Sequence, residues 1–154
     1  MKYRDGDYVA IHADPIWRDQ SNFVFRVPLE SQDGRQRWEQ LWGKKITETR
    51  FSLCCIPFFV YDLALGDEVE VDGQRKILKV HPSGHLTFRL WFGDRSIGSQ
   101  DKALHAIAES NVLMERSSEH LLAISVRADE AQSVANALQQ LEDEGMLSYE
   151  TGQT

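Results

Sequence analysis

His81 and His85 stand four residues apart across the turn Pro82-Ser83-Gly84, a placement from which two imidazoles on one rim could begin a metal site. No third Cys, His or carboxylate follows at diagnostic spacing, so the pair reads first as turn-flanking, half-buried histidines. His85 with Ser83 and Asp67 can also be drawn as a hydrolytic trio. The strained Gly-x-Ser-x-Gly elbow is missing, and a triad is recognised by its geometry rather than by residue types. Cys54 and Cys55, the only cysteines, are adjacent within the apolar run 53–60. Bridging them would be strained, so they are expected as buried, reduced thiols of a cytosolic protein. Neither a nucleophile motif nor a phosphate loop appears. The expectation is a binding protein without catalytic residues, metal or cofactor, rather than an enzyme.

Acidic and aromatic residues offer a second kind of chemistry, recognition of another protein. Glu68, Glu70 and Asp72 alternate with Val69 and Val71, so a strand presents these carboxylates on one side, to solvent or to a lysine- and arginine-rich partner. Trp17 lies in the polar loop Asp14–Gln20 beside Asp19, where no strand or helix period accounts for a large ring. It reads equally as an interface anchor and as a lid folded back on the core. The formal charge of −7 and isoelectric point near 5.2 repel phosphate backbones and attract basic surfaces. Nucleic acid is therefore a poor partner, although the same charge also serves solubility. The candidate partner-binding residues are Trp17, Asp19, Glu68, Glu70, Asp72 and His85.

The elements that position these residues begin with β structure. Tyr8–His12 and Asn22–Val27 alternate as strands, joined by the loop 13–21, and Pro28 ends the second strand or marks an edge. Asp33-Gly34 opens a segment in which Trp38, Leu41 and Trp42 fall at i, i+3 and i+4, which predicts a short helix ending near Gly43. Phe51–Cys55 is a further strand. Asp72-Gly73, between the runs 68–71 and 75–80, predicts a type I′ hairpin. Gly66-Asp67 reads as a structural turn, with Gly for a positive φ and Asp for a local backbone bond.

Beyond the second reversal the period changes. Leu104, Ile107 and Ala108 predict a helix over 101–110. Asp129 with Gln132 resembles a capping box before a helix over 130–144, which Gly145 would close. Strands are expected at 112–116, 121–127 and 147–150, and the polar tail 151–154 is expected to fray. From Leu86 the order is β-α-β-β-α-β, the ferredoxin-like signature. The fold class is therefore α+β: residues 1–84 as a small SH3-like or partly open β-barrel with one short helix, fused to a ferredoxin-like half over 85–154. The sheet face opposite the helices, with Thr87, Arg89 and Trp91, is expected to pack on the first half. The N-terminal run Met1–Asp7 lacks an apolar core, and no stretch approaches the roughly 20 residues that span a bilayer, so a cytoplasmic location without membrane contact is expected.

The runs Ile56-Pro57-Phe58-Phe59, Leu63-Ala64-Leu65-Gly66-Asp67 and Ser83-Gly84-His85 with Thr87 resemble a bacterial family of single-chain proteins of about this length, catalogued as a domain of unknown function. The resemblance runs over residues 22–150, is densest over 53–92, and implies no activity, cofactor or catalytic residue. Two functions remain. One is a protein-binding module, for example an immunity protein that neutralises a basic toxin such as a nuclease. The alternative is a small-ligand-binding regulatory domain, using a cleft between the halves lined by Phe58, Phe59 and Tyr61 with His85 at its rim.

Overall fold

The computed structural model describes residues 8–74 and 76–154, which form two open sheets and two α-helices. The N-terminal run 1–7, read above as lacking an apolar core, and Arg75, read as the start of a strand, lie outside the described residues. The first sheet contains β1 (Tyr8–Ala10), β2 (Phe23–Gln32), β3 (Arg35–Thr47), β4 (Arg50–Leu53), β5 (Glu68–Val71) and β6 (Ile77–His81). Its spine is the 13-residue β3, which carries β2 on one edge and, in succession, the parallel β1 and the antiparallel β4 on the other. β5 and β6 extend the sheet from β4, and β1, β2 and β6 each pair with one neighbour among the described strands, so the sheet is open rather than a closed barrel. Pro28 lies within β2 and is tolerated there because an edge strand can spare a donor.

The two Asp-Gly dipeptides exchange the roles expected of them. Asp33 and Gly34 take φ of 52° and 73°, and Gln32 pairs with Arg35, which makes this the two-residue hairpin of type I′ character. The helix expected over Trp38–Trp42 is absent for that reason. Trp38 and Leu41 are instead buried from opposite faces of β3, and burial on both faces imitates a helical spacing. Gly73 has no positive φ. The Asp72 N–H bonds to the Lys76 carbonyl at 2.9 Å, and Asp72 Oδ1 accepts the N–H groups of Gln74 and Lys76 at 2.8 and 2.9 Å, so an aspartate-capped, longer loop replaces the predicted turn.

The second sheet is antiparallel with order β10-β7-β9-β8, where β7 is His85–Trp91, β8 Leu113–Arg116, β9 Leu121–Arg127 and β10 Ser148–Thr151. Helix α1 (Ile97–Ala108) follows β7, and α2 (Ala131–Asp143) follows β9. α1 starts four residues before its expected position because the Ser96 side chain caps the Ser99 N–H, and its buried face is Gln100, Ala103 and Ile107, with Ala108 exposed. The expected Asp129–Gln132 capping box does not form. A 3-10 turn over Ala128–Glu130 leads into α2, and Glu130 makes no side-chain cap. Gly145, at φ 73°, closes the helix as its type predicts. Both helices pack on one face of the sheet, where Phe88, Leu90, Leu122 and Ile124 meet Ile107, Val134 and Leu138.

The opposite face, with Thr87, Arg89, Glu115, Ala123 and Ser125, is also buried. Ile56, Phe58 and Leu65, from the segment between β4 and β5, cluster with Ala123, and Ile16, Trp17, Phe59 and Leu113 pack against them. Trp91, placed with this face by its alternation, is 50% exposed at the end of β7. The tail does not fray: Gly152 donates to the Thr87 carbonyl at 2.8 Å and accepts from the Asp62 N–H at 2.7 Å, while Thr154 bonds the Asp62 carboxylate through its N–H and hydroxyl. No helix among the described residues is long and apolar enough to cross a membrane.

Candidate functional site

The segment 54–60 leaves β4 without entering another strand, so its buried N–H groups need acceptors. Two buried carboxylates supply them. Glu39 accepts from Phe58 at 2.7 Å, Val60 at 2.9 Å and Phe59 at 3.0 Å. Glu115 accepts from Ile56 at 2.5 Å and Ile16 at 3.3 Å. Between them His12 places Nε2 at 2.7 Å from Glu39 and Nδ1 at 2.8 Å from Glu115, and its ring stacks on Phe58 with centroids 4.0 Å apart. Burial disfavours a charged imidazole, but the hydrogen bonds to Glu115 and Glu39 outweigh it, and the His12 pKa lies above its ordinary value. For Glu39 burial is again outweighed, by the bond to His12 and by backbone donors, and its pKa is lowered. Every atom that could act as base or ligand is thereby occupied and sealed from solvent, so this constellation joins the two sheets rather than meeting a substrate.

Nothing in the sequence singled out these three residues, because His12, Glu39 and Glu115 are far apart along the chain and Glu39 lay in the supposed helix. The one available signal was the Ile-Pro-Phe-Phe run, a short segment rich in N–H groups that no strand pairing would satisfy. Next to it, Cys55 accepts the Trp42 N–H at 3.4 Å. Both cysteines are free and buried, and burial raises the pKa of each thiol, well above its ordinary value for Cys55.

The residues drawn as a hydrolytic trio are neighbours with other tasks. Asp67 accepts the N–H groups of Ala64 at 2.9 Å and Ser83 at 2.8 Å, Ser83 donates its hydroxyl to the Leu65 carbonyl at 2.7 Å, and His85 Nδ1 meets Ser125 Oγ at 3.2 Å. Gly66 takes φ 82°, and a Cβ there would lie 3.1 Å from Ser83 Cβ, so the two turns interlock at a glycine. His81 lies 3.3 Å from Glu70, His85 meets Ser125 and Trp17, and no group of three metal ligands occurs among the described residues.

Of the candidate partner-binding residues, Trp17 is half-buried. Its backbone N–H donates to the Cys54 carbonyl at 3.0 Å, and its ring meets the His85 ring edge-on with centroids 6.0 Å apart. Asp19 is exposed nearby in sequence. Glu68 and Glu70 stand elsewhere and are held by basic groups: Arg50 Nε is 2.7 Å from Glu68, while Arg50 and His81 approach Glu70 at 3.8 and 3.3 Å. Asp72 is occupied by turn amides. The structure thus brings Trp17 and His85 together and leaves Glu68, Glu70 and Asp72 as a separate row.

The cleft expected from Phe58, Phe59, Tyr61 and His85 is divided. Phe58 is core, and His85 lines a different depression, with Asp67, Pro82 and Gly152. Phe59 and Tyr61 line a cleft of about 420 Å³ with Pro28, Leu29, Arg37, Arg89 and Glu150. Arg89 lies over the Tyr61 ring at 4.7 Å, Arg37 over the Phe59 ring at 5.4 Å, and the Tyr61 hydroxyl donates to Glu150 at 3.0 Å, a bond that raises the tyrosine pKa.

Charge is unevenly spread. Residues 1–84 hold thirteen acidic and twelve basic residues, whereas 85–154 hold eleven and five, so six of the seven excess negative charges lie within residues 85–154, most of them in the segments that join its strands and helices. At one end of that sheet Trp91 stands with the His120 ring 5.9 Å away, and Arg95 ties that end to the C-terminus of α2 by donating to the Gly145 carbonyl. Asp94, Glu119 and Glu144, next in sequence to Arg95, His120 and Gly145, are exposed. Sequence reasoning missed this end because alternation assigned Trp91 to the buried face without showing that the covering layer stops short of the strand terminus.

A family described as a domain of unknown function, DUF4265, matches residues 39–149, most of the chain, and the chain belongs to that family. A solved structure described as a hypothetical protein from Neisseria gonorrhoeae is similar, with a TM-score of 0.68 and 21% identity over 82% of this chain and 91% of that one. At that identity the likeness shows a shared fold alone. No curated protein matches.

Proposed function

We propose that this DUF4265 protein is a non-enzymatic binding module that docks a basic protein through its acidic second half, with Trp91 as the anchor. The charge partition carries the reading, because a field concentrated on one half both steers and orients a basic partner. Trp91 supports it: a half-exposed tryptophan beside His120, with exposed carboxylates at Asp94 three residues on and at Glu119 next to His120, has the composition of an interface anchor in an acidic setting. One concrete form is an immunity protein that covers the substrate cleft of a basic toxin such as a nuclease. Trp17, Asp19 and His85 would form a secondary rim, and Glu68, Glu70 and Asp72 would add to the field without breaking their present bonds. We read residues 85–154 as a ferredoxin-like unit, supported by the strand order β10-β7-β9-β8, and 1–84 as an SH3-like or partly open barrel, supported by the short antiparallel β3-β4-β5-β6 run. A cytoplasmic setting would keep the adjacent thiols reduced. The test is co-purification from a native bacterial host, with wild-type chain and a Trp91→Ala/Glu144→Lys variant in parallel. A basic protein should be retained by the first and lost by the second; equal retention contradicts the reading.

A second reading, favoured by the two guanidinium groups around Phe59 and Tyr61, is that the cleft takes a small ligand.

A further inference from the structure

Arg89 is the least expected residue in that cleft. Its side chain is only 4% exposed, its terminal nitrogens donate to the Phe59 and Val60 carbonyls, and its Nε has no hydrogen-bond partner among the described residues. A buried guanidinium ordinarily holds a well-aligned carboxylate, with charge-assisted bonds of about 2.7–2.9 Å. The carboxylate present, Glu150, is 52% exposed and stands 3.4 Å away. Glu150 also accepts the Tyr61 hydroxyl on both oxygens, at 3.0 Å each. Arg37, which also lines the cleft, lies over the rings of Phe59 and Tyr8, at 5.4 and 5.9 Å, and has no carboxylate partner among the described residues. Glu30 is exposed at the rim and pairs with neither arginine. Pro28, Leu29 and Phe59 give the cleft an apolar side, and its volume of about 420 Å³ falls within the usual range for small ligands.

We propose that this cleft binds a small organic anion, a carboxylate or phosphate monoester on a flat ring, whose charged end displaces Glu150 from Arg89 and Tyr61. The proposal rests on the small-ligand reading. Glu150 then serves as a replaceable occupant: its side chain swings to solvent while the incoming anion accepts from Arg89 Nη1 and the Tyr61 hydroxyl. Arg37 supplies the second positive charge, and its planar face suits a ring laid against the apolar side.

The test is a titration of the full chain, followed by amide chemical shifts, with benzoate, phenyl phosphate and the neutral benzamide. Either anion should shift the amides of Tyr61, Arg89 and Glu150, with benzamide about tenfold weaker because it lacks the charge-assisted bonds. Benzoate against phenyl phosphate separates the two anion types. Glu150→Gln should tighten the anion about threefold by removing the competing carboxylate, and Arg37→Gln should weaken it by a similar factor. Both variants change exposed or half-exposed side chains, and their spectra should match wild type away from the cleft. Benzamide binding as well as benzoate overturns the anion assignment while leaving a ligand cleft. Silence from all three probes, in wild type and Glu150→Gln alike, overturns the inference and the ligand reading together.

Discussion

Glu39 of β3 and Glu115 of β8 stand on opposite sides of one imidazole, each within 2.8 Å of a His12 nitrogen, so a single ring links the first sheet to the second. The same carboxylates hold the Ile-Pro-Phe-Phe segment by its N–H groups. This joint, with the apolar cluster of Ile56, Phe58, Leu65 and Ala123 beside it, sets the first sheet against the second.

His12→Ala leaves two buried carboxylates facing each other without their cation. Loss of one member of a buried ionic cluster costs about 3–5 kcal/mol, a large share of the ~5–15 kcal/mol that stabilises a domain. Chemical denaturation should show a midpoint lowered accordingly; a variant within about 1 kcal/mol of wild type would mean the cluster is incidental.

The same cluster sets a pH profile. The raised His12 pKa gives stability that is complete below its ordinary value of 6.5 and lost as pH rises through the higher folded value. The lowered Glu39 pKa gives stability that is complete above its ordinary value of 4.5 and lost as pH falls through the lower folded value. The contribution therefore peaks between 4.5 and 6.5 and declines on both sides. Thermal unfolding across pH 3–9 should show this maximum in wild type and a flattened profile in His12→Ala; identical curves would exclude the coupling.

Much of the second half was legible because its signals are local. Periodicity gave both helices and the β-α-β-β-α-β order, and Gly145 closed α2 where its residue type predicts. The first half was less legible because tertiary context decided it. Asp33-Gly34 and Asp72-Gly73 are the same dipeptide, and only the strands around them determine which becomes the tight hairpin. Trp38 and Leu41 imitate a helix because β3 is covered on both faces. His12, Glu39 and Glu115 meet only after both sheets assemble, and Arg89 with Tyr61 likewise.

Gly66→Ala should destabilise the interlocked turns by about 1–3 kcal/mol, since φ 82° is strained for alanine and the new methyl crowds Ser83. Ser83→Gly should recover the steric part and not the backbone part. An unchanged melting temperature in Gly66→Ala would contradict the interlock.

Cys55 should resist thiol reagents in the native state, because burial raises its pKa and the thiolate is the reactive form. Cys55→Ala should cost about 1–3 kcal/mol through the unsatisfied Trp42 N–H and leave binding intact. Loss of binding in a folded variant would reveal a redox or metal role.

Removal of residues 152–154 should speed hydrogen exchange at the Asp62 amide, which donates to Gly152. Because bonds from Thr154 lower the Asp62 pKa, this pin is complete above 3.8 and is lost as pH falls through the folded value. Exchange at Asp62 that is unchanged by truncation would show the tail to be unpinned.

Binding of a basic partner by the acidic half is tested most directly by association kinetics with the co-purified protein, at about 0.05 M and 0.5 M salt. Exposed charges are screened beyond about 10 Å at 0.1 M ionic strength. The wild-type association rate should therefore fall about tenfold or more between the two conditions, and Glu119→Lys/Glu144→Lys should slow it at low salt. Trp91→Ala should leave association nearly unchanged and speed dissociation about tenfold or more, as loss of a desolvated anchor does. A rate indifferent to salt and to the Glu119 and Glu144 reversals, with dissociation untouched by Trp91→Ala, would contradict the proposed interface.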